Sequence, residues 1–116
     1  MGSRYVVVVR RRGRTEKQRH ASLDAALDAL EARLRELAAE QRPHIERAFR
    51  REIEPVRQVP VRGELRGPGG LRAGIDVRGD GSTEAFTGRI VRRVISQRDG
   101  EDAYFALRRV VGGTSG

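Results

Sequence analysis

A chain of 116 residues fits one domain with one modest core. Its 24 basic residues outnumber its 16 acidic ones, giving a formal charge of +8; Lys17 is the only lysine, so 23 of the bases are arginine. Cysteine is absent, which excludes disulfides, thiolate metal sites and a cysteine nucleophile, and no stretch approaches the length of a membrane span. The apolar run Val6–Val9 is too short for the core of a signal peptide, so the expected location is cytoplasmic. Aromatic residues are few (Tyr5, Phe49, Phe86, Tyr104 and Phe105), which leaves Val, Leu, Ile and Ala to build the core.

Arg4 to Arg10 reads as a strand, because its valine run is β-branched and too short for a helix. Tyr5, Val7 and Val9 share one face and Val6 and Val8 the other. Arg12-Gly13-Arg14 is a turn, and Thr15 to His20 is a second strand, polar enough for a sheet edge. Ser22 then caps a helix, with Asp24 in its first turn. Leu23, Leu27, Leu30, Leu34 and Leu37 recur at four-three spacing and form one apolar stripe, suited to packing on a sheet. Pro43 is expected to end or kink this helix near Gln41. A short helix over His44 to Glu52 would follow, with Ile45, Ala48 and Phe49 on one face.

Beyond Pro55 the texture changes. Val56 to Arg66 reads as a strand, with Pro60 suggesting an edge position or a bulge. Gly67-Pro68-Gly69-Gly70 is a turn, and Leu71, Ala73, Ile75 and Val77 then alternate with Arg72, Gly74, Asp76 and Arg78 as a half-buried strand. After the turn at Gly79-Asp80-Gly81, residues 84 to 96 fit either a strand or a helix; Thr87, Gly88 and the β-branched residues favour a strand over Glu84–Val94. Asp99 to Asp102 opens a last helix, with Ala103, Ala106, Leu107 and Val110 inward. The expected fold is α+β, in the order β-β-α-β-β-β-α: a small antiparallel sheet of about five strands with one long and one short helix on one face. Residues 1–111 would form the single domain and 112–116 a flexible tail.

Charge is uneven along this order. Residues 1–20 carry a net +6, residues 21–54 a net −2 and residues 55–116 a net +4. The first helix is near neutral and the strands hold the excess, so a basic face is expected on the side of the sheet away from the helices. Such a face suits a polyanion, and the planar fork of arginine holds two phosphate oxygens at once. The candidate nucleic-acid-binding residues are Arg10, Arg11, Arg12, Arg14, Lys17 and Arg19 in the first hairpin, with Arg72 and Arg78 on the sheet. An equally simple source of the arginine excess is genome composition.

The basic hairpin followed by Ala21-Ser22-Leu23-Asp24-Ala25-Ala26, opening an amphipathic helix, resembles the AP2-like arm-type DNA-binding domain of phage-type integrases over residues 4–41. That resemblance implies a three-stranded sheet entering the major groove of duplex DNA, with a helix bracing its back. The third strand would come from the segment after Pro55. Only a binding role would carry over.

Other motifs are weak. Asp76, Asp80, Gly81, Ser82 and Glu84 suggest part of a calcium loop, but Arg78 and Thr87 stand where ligands belong, and a hairpin turn explains them better. His20 and His44 lie in different elements, and no glycine cluster has phosphate-loop spacing. No triad, dyad or metal set can be named, so no enzyme activity, cofactor or small-molecule substrate is expected. The alternative is a protein–protein interaction module or homodimer with no nucleic-acid role. A patch of Val6, Val91 and Ile95 on the open sheet face would favour it.

Overall fold

Successive side chains of a strand point to opposite faces, so the four valines at the start of the chain divide between two environments. In the computed structural model, which describes residues 4–50, 60–88 and 90–114, they lie in strand β1 (Tyr5–Arg11). Val7 and Val9 enter the core beneath the helices, whereas Val8 is fully buried on the opposite face. A two-residue turn leads into β2 (Arg14–His20), which is polar throughout and forms a sheet edge.

Helix α1 (Leu23–Arg50) follows. Ser22 starts it: its Oγ accepts the Ala25 N–H at 3.1 Å, and its carbonyl accepts the Ala26 N–H. The leucine stripe is core, with Leu27, Leu30, Leu34 and Leu37 all buried. The helix does not stop at Pro43 but runs on to Arg50, so the short helix expected from His44 is its continuation; residues 51 and 52 lie outside the described residues. Proline forfeits one backbone donor and crowds the preceding turn, and the helix-favouring flanks Gln41, Arg42, Glu46, Arg47 and Ala48 offset part of that cost.

Strand β3 (Val61–Gly67) returns to lie beside β1, antiparallel, with Val7 opposite Leu65 and Val9 opposite Gly63. It is a central strand, not an edge; Pro60 stands just before it, where no ladder donor is needed, and residues 56–59 lie outside the described residues. A tight turn at Pro68–Gly70 leads to β4 (Leu71–Val77), and the turn at residues 79–81 leads to β5 (Thr83–Thr87). In that turn Asp80 Oδ1 accepts the Ser82 N–H at 2.9 Å, so the carboxylate serves the turn.

The strand expected to run from Glu84 to Val94 breaks at Gly88. Its φ of +128° reverses the chain, and a Cβ there would strike the Val91 backbone. The chain returns as β6 (Arg93–Val94), which pairs Val94 with Phe86. Helix α2 (Ala103–Thr114) closes the fold, capped by Asp102, whose Oδ1 accepts the Phe105 N–H at 2.8 Å. It continues through Gly112 to Thr114, where the sequence suggested a tail.

The result is a six-stranded antiparallel sheet in the order β2-β1-β3-β4-β5-β6. Both helices cover one face, α1 over β1 and β3 and α2 over β4 and β5, and the core lies between. Among the described residues no helix is long and apolar enough to cross a membrane.

Candidate functional site

Antiparallel register assigns every strand residue to a face. The face away from the helices carries Thr15, Lys17 and Arg19 on β2, Val6, Val8 and Arg10 on β1, and Arg62, Glu64 and Arg66 on β3. It continues with Arg72, Gly74 and Asp76 on β4, Glu84 and Phe86 on β5, and Val94 on β6. Six bases thus share this face with three acids. Arg78 and Arg92 reach the same carboxylates from the flanking loops.

Across β2, β1 and β3 the face is polar at its surface although valines lie within it. Val8 stands between Lys17 and Glu64 across the strands and has no exposed area. Long polar side chains cover apolar surface with their stems while keeping their heads in water. The patch expected from Val6, Val91 and Ile95 does not assemble. Val6 sits between Arg19 and Arg66, Val91 lies in the loop after Gly88, and Ile95 packs against the core. Odd-numbered positions of β5 face the helices, so even a continuous strand would set Val91 and Ile95 on the face opposite Val6.

Asp76 organises one half of the face. It is 1 % exposed, with Arg62 Nε 2.6 Å from one carboxylate oxygen and an Arg92 terminal nitrogen 2.6 Å from the other. Arg92 also reaches Glu84 at 2.8 Å, and Arg78 pairs with Glu84. The Phe86 ring beside this network is covered by guanidinium groups, Arg92 at 4.7 Å and Arg62 at 5.7 Å from its centroid. The hydrogen bond to Asp76 raises the Arg62 pKa above its ordinary value, so that charge is fixed.

The candidate residues separate into two classes. Arg10 pairs with Glu64 at 3.3 Å, Arg78 with Glu84, and Arg11 with Glu40 at 3.0 Å from the helix side of the sheet. Arg12, Arg14, Lys17, Arg19 and Arg72 have no carboxylate partner among the described residues. Arg12 and Arg14 occupy the hairpin tip, Lys17 and Arg19 continue along β2, and Arg72 stands on β4. A cleft of about 430 Å³ opens at the tip, lined by Arg10, Arg11, Arg12, Gly13, Arg14, Thr15, Pro60 and Arg62.

The tip is strained. Arg12 has φ +41° and Gly13 φ +77°, the left-handed pair of a type I′ turn. Asn or Gly is favoured at the first of these positions, and an arginine there gives up local stability for a projecting charge. Sequence reasoning missed Arg62, Arg66 and Arg92. The first two were legible, because alternation through Val61–Gly67 sets Arg62, Glu64 and Arg66 on one side. Arg92 had no signal, since it sits on a loop created by the reversal at Gly88. No protein-family model, curated protein or solved structure matches the chain.

Proposed function

We propose that the protein binds duplex nucleic acid through the phosphate backbone, using the first hairpin and the open sheet face as a largely sequence-independent surface. One observation carries the reading. Arg12, Arg14, Lys17, Arg19 and Arg72 lack carboxylate partners among the described residues, while the neighbouring arginines are neutralised within the face. A cation without a carboxylate partner can neutralise a phosphate and so release counterions condensed on the duplex, and this term supplies most of non-specific affinity. Arg19 and Arg72 are three strands apart, about 14 Å at ordinary strand spacing, so the set samples a surface broader than one phosphate.

A duplex fits better than a single strand. Sequence-tolerant single-strand binding relies on exposed rings on which bases stack. Phe86 is the one ring on the open face among the described residues, and Arg62 and Arg92 cover it. The test is a titration of the protein with a fluorescent duplex and with one of its strands, each over a range of salt. Tighter binding of the duplex, weakening steeply as salt rises, supports the reading. No binding at low salt rejects it and leaves the arginine excess as genome composition.

A further inference from the structure

The two edges of the sheet differ in kind. β2 is charged or polar along all seven residues, a device that discourages further strand pairing. β6 is short, and at and beside it the chain exposes Ile90 (94 %), Val91 (66 %) and Val94 (56 %). Residues 85–98 contain Arg89, Arg92, Arg93 and Arg98 and not one acid. The Arg93 guanidinium group forms no salt bridge among the described residues, while Arg98 lies close enough to Glu101 to depress its carboxyl pKa.

The backbone at this edge is directional. The Ile95 N–H donates to the Ala85 carbonyl at 2.8 Å, which makes residues 85 and 95 a hydrogen-bonded pair. Antiparallel ladders alternate, so Phe86 and Val94 form a non-hydrogen-bonded pair. The N–H and C=O of Val94 therefore point away from β5, toward the open side of the sheet edge. An added strand would meet Val94 on the open face and Arg93 on the helix face, because successive side chains alternate.

We propose that the β6 edge receives an extended segment of a partner protein in which carboxylates alternate with β-branched apolar side chains. Its main chain pairs with Val94, its apolar side chains pack beside Val94 and Val91, and its carboxylates meet Arg93. Charge decides between this occupant and a second copy of the chain. Antiparallel pairing of β6 with itself sets one basic segment against another, and like charges across a strand pair oppose pairing. The inference is independent of the nucleic-acid reading, since none of its residues belongs to the phosphate-contacting set.

The experiment uses the full chain and three labelled octapeptides in a fluorescence anisotropy titration. One alternates Glu and Val, one alternates Lys and Val, and one carries four Glu followed by four Val. Saturable binding is expected for the Glu–Val alternation, with the other two weaker by about tenfold or more. Arg93→Glu should abolish that binding and confer affinity for the Lys–Val peptide, and Val94→Asp should weaken both, with melting unchanged in each variant. Equal affinity for the alternating and block peptides would overturn the proposal, as would indifference to Arg93→Glu. A concentration-dependent dimer dissolved by Val94→Asp would make a second copy the occupant. Sedimentation with anionic phospholipid vesicles that requires Ile90 would make it a lipid surface. Either result would overturn the peptide as occupant.

Discussion

Gly63 lies directly under Leu30: a Cβ on Gly63 would stand 2.5 Å from Leu30 Cδ1 and 2.9 Å from Leu34 Cδ1. The absent side chain lets α1 seat on β3, and Gly63 pairs with Val9 on one side and Ile75 on the other. Gly63→Val should lower stability by about 1–3 kcal/mol through overpacking, and Leu30→Ala by about 2–5 kcal/mol through reduced burial and a cavity. The double variant Gly63→Val, Leu30→Ala should cost less than the sum of its parts, since truncating Leu30 opens space that the side chain added at position 63 fills. Urea denaturation of the single and double variants checks this.

Arg12→Asn separates stability from binding. Asparagine tolerates the left-handed conformation that Arg12 adopts at φ +41°, so the variant should gain up to about 1 kcal/mol. It also removes a tip cation, so affinity for duplex should fall. A variant that binds as well as the parent would remove the tip from the interface.

Asp76→Asn should act in the opposite sense. The change removes the charge shared by Arg62 and Arg92, which are partly exposed and can regain water. The stability cost should therefore be about 1–3 kcal/mol, below that of breaking a fully buried pair. Freed guanidinium groups raise the charge of the open face, and duplex affinity should rise. Thermal melting and a binding titration on the same sample distinguish the two effects.

The pH dependence has two limbs. Hydrogen bonding from Arg33 holds the Glu16 carboxyl below its ordinary pKa, and hydrogen bonds from Ser82 do the same for Asp80. Depressed carboxyls stabilise the fold above their unfolded pKa, and that stability is lost as pH falls through the folded values. On the alkaline side, burial pushes the Tyr104 phenol up to about 12, with the neighbouring Arg35 opposing. A raised phenol stabilises the fold below its unfolded pKa of about 10, and that contribution is lost as pH rises toward the folded value. Tyr104→Phe should remove the alkaline loss without altering the acid limb, as read from melting temperature against pH.

Much of this fold is legible in the sequence because local signals agree with tertiary packing. The leucine stripe from Leu23 to Leu37, the Ser22 cap and the alternation from Leu71 to Val77 each describe an element whose buried face is complete within one segment. The misreadings arise where a single residue is outvoted. Pro43 looks terminal, but its flanks sustain the helix. Gly88 looks like a strand glycine, but its positive φ turns the chain and opens the loop holding Ile90 to Arg92. The site is only half legible for a different reason. Sequence identifies cations, whereas the partners that neutralise them, Glu64 for Arg10 and Glu84 for Arg78, are set by cross-strand register and loop placement.

Paired and unpaired cations should differ in what they give to duplex binding, and the salt dependence of that binding measures the difference most directly. Removing one phosphate interaction should flatten the log–log slope by about 0.9. Replacing Arg12, Arg14, Lys17 and Arg19 together with Gln should reduce the slope by about 3.6 units, with the fold intact because all four are exposed. Replacing the paired Arg10, Arg11 and Arg78 should change it by less than about 1 unit. Equal flattening by the two sets, or a slope that ignores both, would contradict a phosphate-binding role for the unpaired cations.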